Sequence, residues 1–248
     1  MKFTFLGTGT SQGVPVIACN CETCTSEDPK DKRLRTSVLV ESEKTTLVID
    51  TGPDFRQQML RENVKKLDAV LFTHEHRDHI AGLDDIRAFN FVQQKPMDVY
   101  TEERVLEALK YEFPYIFAEK KYPGVPKINI HIINNYEFKI GDLNVIPVRG
   151  MHYKLPVFGF RIGEFAYLTD INFIPEEEKE KLFGVKYFVI NALRKEKHIS
   201  HFTLNEALQL IKELSPKRAY LTHISHQMWK NNDLKDELPS NFSNTYNG

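Results

Sequence analysis

Residues 74–79 constrain this chain most, because four side chains that can bind a metal ion fall within six residues. The segment Thr73-His74-Glu75-His76-Arg77-Asp78-His79 follows the apolar run 69–72. An extended turn at the end of a strand can direct alternate side chains into one pocket, whereas a helix would separate the first two histidines. The alternative is a solvated polar turn, which rarely carries three histidines and an aspartate at this spacing. Imidazole and carboxylate together suit Zn²⁺, Mn²⁺ or Fe²⁺ better than Ca²⁺ or Mg²⁺.

Three further candidate ligands follow predicted strands later in the chain. His152 comes after the strand predicted at 143–148, Asp170 ends an apolar run, and His223 follows another. Strands that converge in a sheet would bring these side chains to one rim. A single histidine after a strand is more often a core or surface residue than a ligand, so the common order of the three carries the prediction.

The three cysteines of the chain, Cys19, Cys21 and Cys24, lie within six residues. An odd, tightly clustered set is a poor disulfide framework and suits a metal-binding loop. A structural zinc takes four ligands, and His226, three residues after His223, is the candidate for the fourth. The alternative is three ordinary buried thiols with an unrelated surface histidine.

The remaining pattern predicts an α/β fold in which two mixed sheets pack together with helices outside, because both halves contain strand pairs followed by a helix. We expect one domain over residues 1–248. Glu112–Lys127 has three prolines and is the expected excursion from the core. The predicted strands are 2–6, 36–41, 46–50, 69–72, 128–133, 143–148, 159–162, 165–168, 187–190 and 218–221. The predicted helices are 54–63, 80–92, 102–111, 175–183 and 203–214, the last opened by a Thr203/Glu206 capping box.

Composition limits the partners. Lys and Arg total 33 against 34 Asp and Glu, and this balance argues against a long nucleic acid but not against a small phosphorylated substrate. No apolar run approaches the roughly 18 residues of a membrane span, and the N-terminus lacks the apolar centre of a signal peptide. We therefore expect a cytoplasmic protein without a membrane partner, and a homodimer stays open.

The motif His74, His76, Asp78 and His79 resembles the His-x-His-x-Asp-His signature of the metallo-β-lactamase superfamily. The resemblance implies an αββα sandwich with two divalent transition metals, Zn or Mn, with Fe as a third alternative. It implies that one metal is held by His74, His76 and His152, the other by Asp78, His79 and His223, and that Asp170 bridges them. Two metals about 3.5–4 Å apart would share a water and lower its pKa to yield hydroxide. Asp50 matches the early aspartate that supports the metal loop, although a plain turn residue is an equal alternative.

The cysteine loop narrows the resemblance to PhnP-like phosphodiesterases, which are relatives of ribonuclease Z. Further likenesses lie at 5–15, 50–56, 79–85 and 220–226. The resemblance implies a hydrolase for a small phosphodiester, with cyclic ribose phosphates the known substrate class. It also implies two catalytic residues, Asp78 to orient the hydroxide and a histidine in 198–201 to protonate the leaving oxygen. His201 aligns better than His198.

Other functions fit the same fold. Ribonuclease Z, which processes tRNA 3′ ends, normally inserts a long arm between the third motif and the bridging aspartate, and only 17 residues separate His152 from Asp170 here. A non-catalytic, metal-stabilised binding protein would have lost ligands, and none is missing. PqqB-type relatives share the zinc loop but alter the metal motif, and oxygen-reducing diiron members typically have Glu in place of His76. The natural substrate stays open.

Overall fold

The computed structural model describes residues 1–228, 230 and 242–243, and two β-sheets run through this part of the chain. The first sheet has six strands in chain order. Strands β1 to β3 are antiparallel, and β3 to β6 are parallel. The strands are β1 (Lys2–Gly7), β2 (Ser37–Glu41), β3 (Thr46–Ile49), β4 (Ala69–Leu71), β5 (Met97–Thr101) and β6 (Ile128–Ile132).

The second sheet has seven strands in the order β13-β12-β11-β10-β9-β8-β7. Its first four strands along the chain form an antiparallel meander, and the rest join in parallel. The strands are β7 (Phe138–Ile140), β8 (Leu143–His152), β9 (Leu155–Ile162), β10 (Phe165–Leu168), β11 (Tyr187–Asn191), β12 (Arg218–Thr222) and β13 (Phe242–Ser243).

Helices are distributed between the strands. The final long helix begins as predicted, because the Thr203 hydroxyl accepts the Glu206 N–H while the Glu206 carboxylate accepts the Thr203 N–H. The α-helices are α1 (Glu22–Thr25), α2 (Phe55–Arg61), α3 (Arg77–Ile80), α4 (Arg87–Gln93), α5 (Glu103–Glu112), α6 (Pro114–Phe117), α7 (Glu176–Lys179) and α8 (Leu204–Leu214). Short 3₁₀ helices lie at Pro29–Asp31, Leu83–Ile86 and Glu180–Leu182.

The core consists of three apolar layers. Side chains such as Leu47, Phe160 and Tyr167 fill the space between the two sheets. Helices α2 and α5 cover the outer face of the first sheet, and α8 covers that of the second. Each fully buried Leu or Phe contributes roughly 1.5–3 kcal/mol relative to exposure. Strands with both faces covered read as continuous apolar runs, which is why they were recognisable in the sequence. The two sheets and the helices on their outer faces make four layers, and this arrangement confirms the predicted αββα sandwich.

Several predicted boundaries were wrong. Strands β5 and β7 were missed because both are short and carry charged residues on one face. The helix expected at 80–92 is broken into α3, a 3₁₀ turn and α4. The segment expected to leave the core does so only partly, since Phe113 and Ile116 are buried against the first sheet's helices.

Two further points concern the ends and the surface of the chain. The prediction of one domain over 1–248 stays a prediction, and its residues 229, 231–241 and 244–248 lie outside the described residues. Among the described helices, none has the length and apolar character needed to cross a bilayer.

Candidate metal centre

The motif turn lies between β4 and α3. Residues 73–76 are not helical, and α3 begins at Arg77 with His76 as its N-cap in an extended conformation. His74 and His79 are fully buried. His74 Nε2 lies 3.1 Å from His76 Nδ1, so the extended turn does direct both rings to one place.

Asp50 lies directly beneath this turn. One carboxylate oxygen accepts the Thr73 N–H at 2.9 Å, and the other lies 2.8 Å from the Thr73 hydroxyl and 2.7 Å from His79 Nδ1. The Thr73 hydroxyl is in turn 2.9 Å from His74 Nδ1. Burial raises the pKa of Asp50, while His79 opposes that shift. This single carboxylate therefore orients two histidines of the motif.

The first ligand group joins both sheets. Single ligand atoms of Asp78, His79, Asp170 and His223 all lie within 4.8 Å of one another. Asp170 Oδ2 is 3.0 Å from His223 Nδ1 and 3.2 Å from His79 Nε2. Burial raises the pKa of Asp170, but His223 and His79 outweigh it and hold that pKa well below its ordinary value.

A second group contains His152, Asp170 and His201, again with one ligand atom each within 4.8 Å. His152 is the last residue of β8, which is four residues longer than predicted. Its Nδ1–H donates to the Ser200 carbonyl at 2.8 Å. The His152 ring centroid is 5.0 Å from that of His76. Asp170 thus belongs to both groups, whereas His74 and His76, which the resemblance assigns to one metal together with His152, contact each other and lie outside both groups.

His201 lies inside this centre, whereas His198 lies beside it. His201 Nδ1 is 3.9 Å from Asp170 Oδ1, and its ring stacks on that of His223 at 4.7 Å. Burial, with His223, lowers the pKa of His201, while Asp170 opposes that shift. The His198 ring centroid is 5.1 Å from that of His201, and its Nδ1 lies within hydrogen-bond distance of the Ser200 hydroxyl.

The donor set fits divalent metal ions. Among the described residues, His79 Nε2, His201 Nδ1 and His223 Nδ1 are buried atoms without a hydrogen bond. Carboxylate oxygens approach two of these nitrogens within 3.2 Å, but not at angles that make hydrogen bonds. Buried polar atoms without partners are costly, and several that point to one place suit coordination. Imidazole with carboxylate is a ligand set for Zn, Mn or Fe.

Strained backbone marks the same residues. Asp50, Asp170 and His223 adopt φ of 64°, 56° and 54°. This left-handed conformation costs residues with a Cβ roughly 1–2 kcal/mol, and it tends to persist where a site requires it. The strand ends are therefore shaped for the ligands at the expense of backbone stability.

The cysteine loop forms a separate cluster. Cys19, Cys21, Cys24 and His226 offer ligand atoms within 4.8 Å of one another, and the first two sulfurs are each 3.3 Å from His226 Nδ1. Tetrahedral zinc ligands of these types lie roughly 3.5 Å apart. Burial raises the pKa of Cys21, but the hydrogen bond to His226 and its neighbours outweigh it and lower that pKa to about 6. Cys21 can thus supply one thiolate at neutral pH, whereas burial raises the pKa of Cys24 to about 11.

An ion-pair chain beside the centre was not predicted. Arg104 pairs with Glu75, which stands between two motif histidines, and donates to the Pro156 carbonyl of β9. Arg149 of β8 binds Glu102 through two bonds of 2.9 and 2.6 Å. Arg104 and Glu102 are 3.8 Å apart, which completes the chain. It connects the motif turn to the strand that ends in His152, and no spacing in the sequence indicates it.

The comparisons with known proteins define the class. Residues 45–224 match the family model described as "Beta-lactamase superfamily domain". This is more than half of the chain, and the chain therefore belongs to the metallo-β-lactamase superfamily, as predicted. A solved structure described as a new diphosphatase from the PhnP family is 38% identical, with a TM-score of 0.92, and the match covers 99% of this chain and 95% of that one. Zn²⁺-bound PqqB from Methylobacterium extorquens shares the fold at 17% identity, with a TM-score of 0.80 and coverage of 100% and 98%.

Among the curated relatives are an octanoyltransferase and ribonuclease Z. An octanoyltransferase from Porphyromonas gingivalis is 39% identical over 251 residues, which is 100% of this chain but 51% of that protein. Ribonuclease Z from Nostoc punctiforme is 25% identical over 168 residues, covering 66% of this chain and 47% of that protein. The chain thus spans about half the length of the curated relatives it matches.

Proposed function

We propose that this protein is a metal-dependent phosphodiesterase that hydrolyses a small phosphodiester. The observation that carries the proposal is the placement of His201 against Asp170, inside a buried cluster of imidazoles and carboxylates that joins the two sheets. A metal-binding group and a proton-transfer group within one cluster are what attack at phosphorus requires. The PhnP-family diphosphatase, which also acts on phosphorus, supports the proposal.

Two divalent ions, Zn or Mn with Fe as a third alternative, would be held as the resemblance implies. His74, His76 and His152 would hold one, Asp78, His79 and His223 the other, and Asp170 both. When bound, such ions lower the pKa of a water and offset the charge that develops on phosphoryl oxygens. Asp78, whose pKa is held low by His79 against the effect of burial, supplies a carboxylate that can orient the attacking water.

His201 would act on the leaving oxygen. A phosphodiester anion placed beside its ring raises the pKa of that imidazole, because a nearby negative charge favours the protonated form. The protonated ring then donates its proton to the departing alkoxide. Its stacking on His223 and its proximity to Asp170 hold the ring in place for that transfer.

We propose a small substrate and no long nucleic acid. The 17 residues between His152 and Asp170 are used by β9, β10 and their turns, both strands lying within the sheet. RNA 3′-end processing is the second candidate, because ribonuclease Z relatives match two thirds of the chain. Hydrolysis of a diphosphate bond is the other, since the solved relative is described as a diphosphatase. Octanoyl transfer is a property of a relative about twice as long.

The test is a substrate panel measured with Zn, Mn and Fe in turn. It contains cyclic and linear phosphodiesters, a dinucleoside diphosphate, a precursor tRNA and an octanoyl thioester. We expect the phosphodiesters to have the highest kcat/KM and Asp170→Asn to abolish turnover. Glu164→Gln, a change on the exposed β9–β10 turn, is the matched control and should keep full activity. Turnover of only the precursor tRNA, the diphosphate or the thioester would replace the proposal with that activity.

A further inference from the structure

The cysteine loop and the metal centre are joined by the short stretch of chain that follows β12. His223 belongs to the metal centre, and His226, three positions later, belongs to the cysteine cluster. Between them, the Ile224 N–H donates to the Thr8 carbonyl at 2.8 Å, and the Ile224 carbonyl accepts the Thr10 N–H at 3.1 Å. We call this stretch the linking segment, because its two ends belong to two different clusters of candidate ligands.

The cysteine loop also contacts the residues that hold the linking segment. The Cys24 sulfur accepts the Val16 N–H at 3.3 Å. Val14, two residues earlier, exchanges backbone hydrogen bonds of 2.8 and 2.7 Å with Arg33. The Arg33 side chain donates to the Thr8 hydroxyl at 2.9 Å, and the Thr8 carbonyl is an acceptor of the linking segment. A rearrangement of the sulfurs therefore disturbs the linking segment from two sides.

His223 depends on this support, because its backbone is strained. Its φ is 54°, a left-handed conformation that crowds the Cβ and persists where the surrounding structure imposes it. Its ring is buried, and Nδ1 lies 3.0 Å from Asp170 Oδ2. A linking segment that is no longer held at His226 would relax toward an ordinary backbone conformation, and the ring would then turn away from Asp170. The state of the cysteine loop thereby controls one member of the metal centre.

Oxidants can reach the sulfurs of the cysteine loop. Cys19 and Cys21 are partly exposed, Cys24 is buried, and Ile17, two residues before Cys19, is 96% exposed. Helix α1 begins directly after Cys21 and contains Cys24, so these two residues have the Cys-x-x-Cys spacing of reversible disulfides. A sulfur that is part of a disulfide is not a thiolate and does not bind zinc. Zinc binding and oxidation of this loop therefore exclude each other.

We propose that the cysteine loop is a redox switch, in which a peroxide joins Cys21 and Cys24 in a disulfide and thereby weakens metal binding at the centre that contains His223. The Cys21 thiolate attacks one peroxide oxygen and becomes a sulfenic acid, and the other oxygen leaves as hydroxide. The Cys24 thiolate then attacks the Cys21 sulfur and expels a second hydroxide. Two thiolates are thus oxidised to one disulfide, hydrogen peroxide is reduced to two hydroxide ions, and the zinc site loses two of its four ligands. The inference goes beyond the proposed function, because it holds for any reaction that the centre catalyses.

The experiment treats the metal-loaded protein with excess hydrogen peroxide. Zinc release is measured with a chromophoric chelator, free thiols with a thiol reagent, and the disulfide by mass spectrometry of peptides. For wild type we expect release of one zinc ion per chain, loss of two of the three thiols, and a Cys21–Cys24 disulfide. Competitive chelation should show that the metal affinity of the centre falls by about five- to 30-fold, which is the strain of one left-handed residue expressed as a ratio of affinities. Dithiothreitol with added zinc should restore both properties.

Cys24→Asp is the control, because a carboxylate can bind zinc but cannot form the disulfide. The same peroxide treatment should leave the metal affinity of its centre unchanged. An equal loss of affinity in this variant would assign the effect to direct damage of the centre and overturn the switch. If the variant binds no zinc, the wild-type results decide alone.

The wild-type measurements overturn the inference in three cases. These are zinc that is retained under peroxide, zinc that is lost without a Cys21–Cys24 disulfide, and a disulfide that leaves the metal affinity of the centre unchanged. None of these measurements uses a substrate, so a protein without phosphodiesterase activity would still pass or fail this test.

Discussion

Replacing Cys21 by Ser should remove one zinc ion and destabilise the whole chain. The cysteine loop and His226 are far apart in sequence, since Cys21 and His226 are separated by 205 residues. A zinc ion held by both would close a loop of that length. The serine hydroxyl does not supply a thiolate, so the four-ligand set is reduced to three.

The size of the effect follows from the loop. A cross-link that closes about 200 residues removes roughly 5 kcal/mol of chain entropy from the unfolded state, which sets an upper estimate. For a chain of this size 1 kcal/mol shifts Tm by about 2–4 °C, so the expected fall is up to roughly 10–20 °C. Three ligands should hold zinc too weakly to retain it, so Cys21→Ser should show most of that fall in Tm.

Elemental analysis and thermal unfolding, each with and without a chelator, provide the assay. Wild type should hold one zinc more than Cys21→Ser, and after chelation the two proteins should melt together. Thr25→Ser is the matched control, since serine keeps the hydroxyl that donates to the Cys21 carbonyl. Full zinc content in Cys21→Ser would refute the ligand set. A lower Tm that persists after chelation would assign the destabilisation to packing instead.

Four further changes test the centre and its surroundings. Asp78→Ala should abolish phosphodiesterase activity while unfolding at nearly the wild-type temperature; turnover of bis(p-nitrophenyl) phosphate at the wild-type rate contradicts its role. Arg104→Ala should weaken metal binding at the His74 side and spare the cysteine zinc, as competitive chelation can measure, and a Glu75→Arg, Arg104→Glu exchange should restore part of the loss. His201→Ala should slow esters of sugar alcohols by about 10²- to 10⁴-fold and nitrophenyl esters far less; equal losses across the series would leave only a phosphate contact. Tyr115→Ala removes the hydrogen bond to Asp84 and should lower Tm or change the mass of the oligomer in solution. A changed KM with neither shift would indicate a substrate lid.

Candidate ligands that lie close together in the sequence were predictable, whereas those that only the fold brings together were predictable in part. The extended turn at His74–His79 was predicted because its four candidate ligands fall within six residues and the strand before it is wholly apolar. The predicted grouping of His152, Asp170 and His223 rested on their order alone, and the structure places His152 and His223 in two separate groups that share Asp170. His201 and His198 were separable only by alignment, whereas in the structure only His201 enters the cluster.

Long-range polar contacts left no signal in the sequence. The pairing of Glu75 with Arg104 joins residues 29 apart, and Arg149 with Glu102 joins residues 47 apart. Charged residues at such separations look like an ordinary solvated surface until the fold places them. The strand β5 was missed for a related reason, since its alternating polar residues weaken a short apolar pattern.

The left-handed backbone at Asp170 and His223 lowers stability in favour of function. Glycine adopts this conformation without the crowding that a Cβ causes, so relief of backbone strain alone favours glycine at both positions. Asp50 differs, because glycine there would leave the buried Thr73 N–H without its acceptor. Selection for thermal stability alone would therefore remove the two side chains that belong to the metal centre and would keep Asp50. A library at the three positions, ranked first by Tm and then by turnover, should place glycine high in the first order and low in the second at residues 170 and 223, and low in both at residue 50.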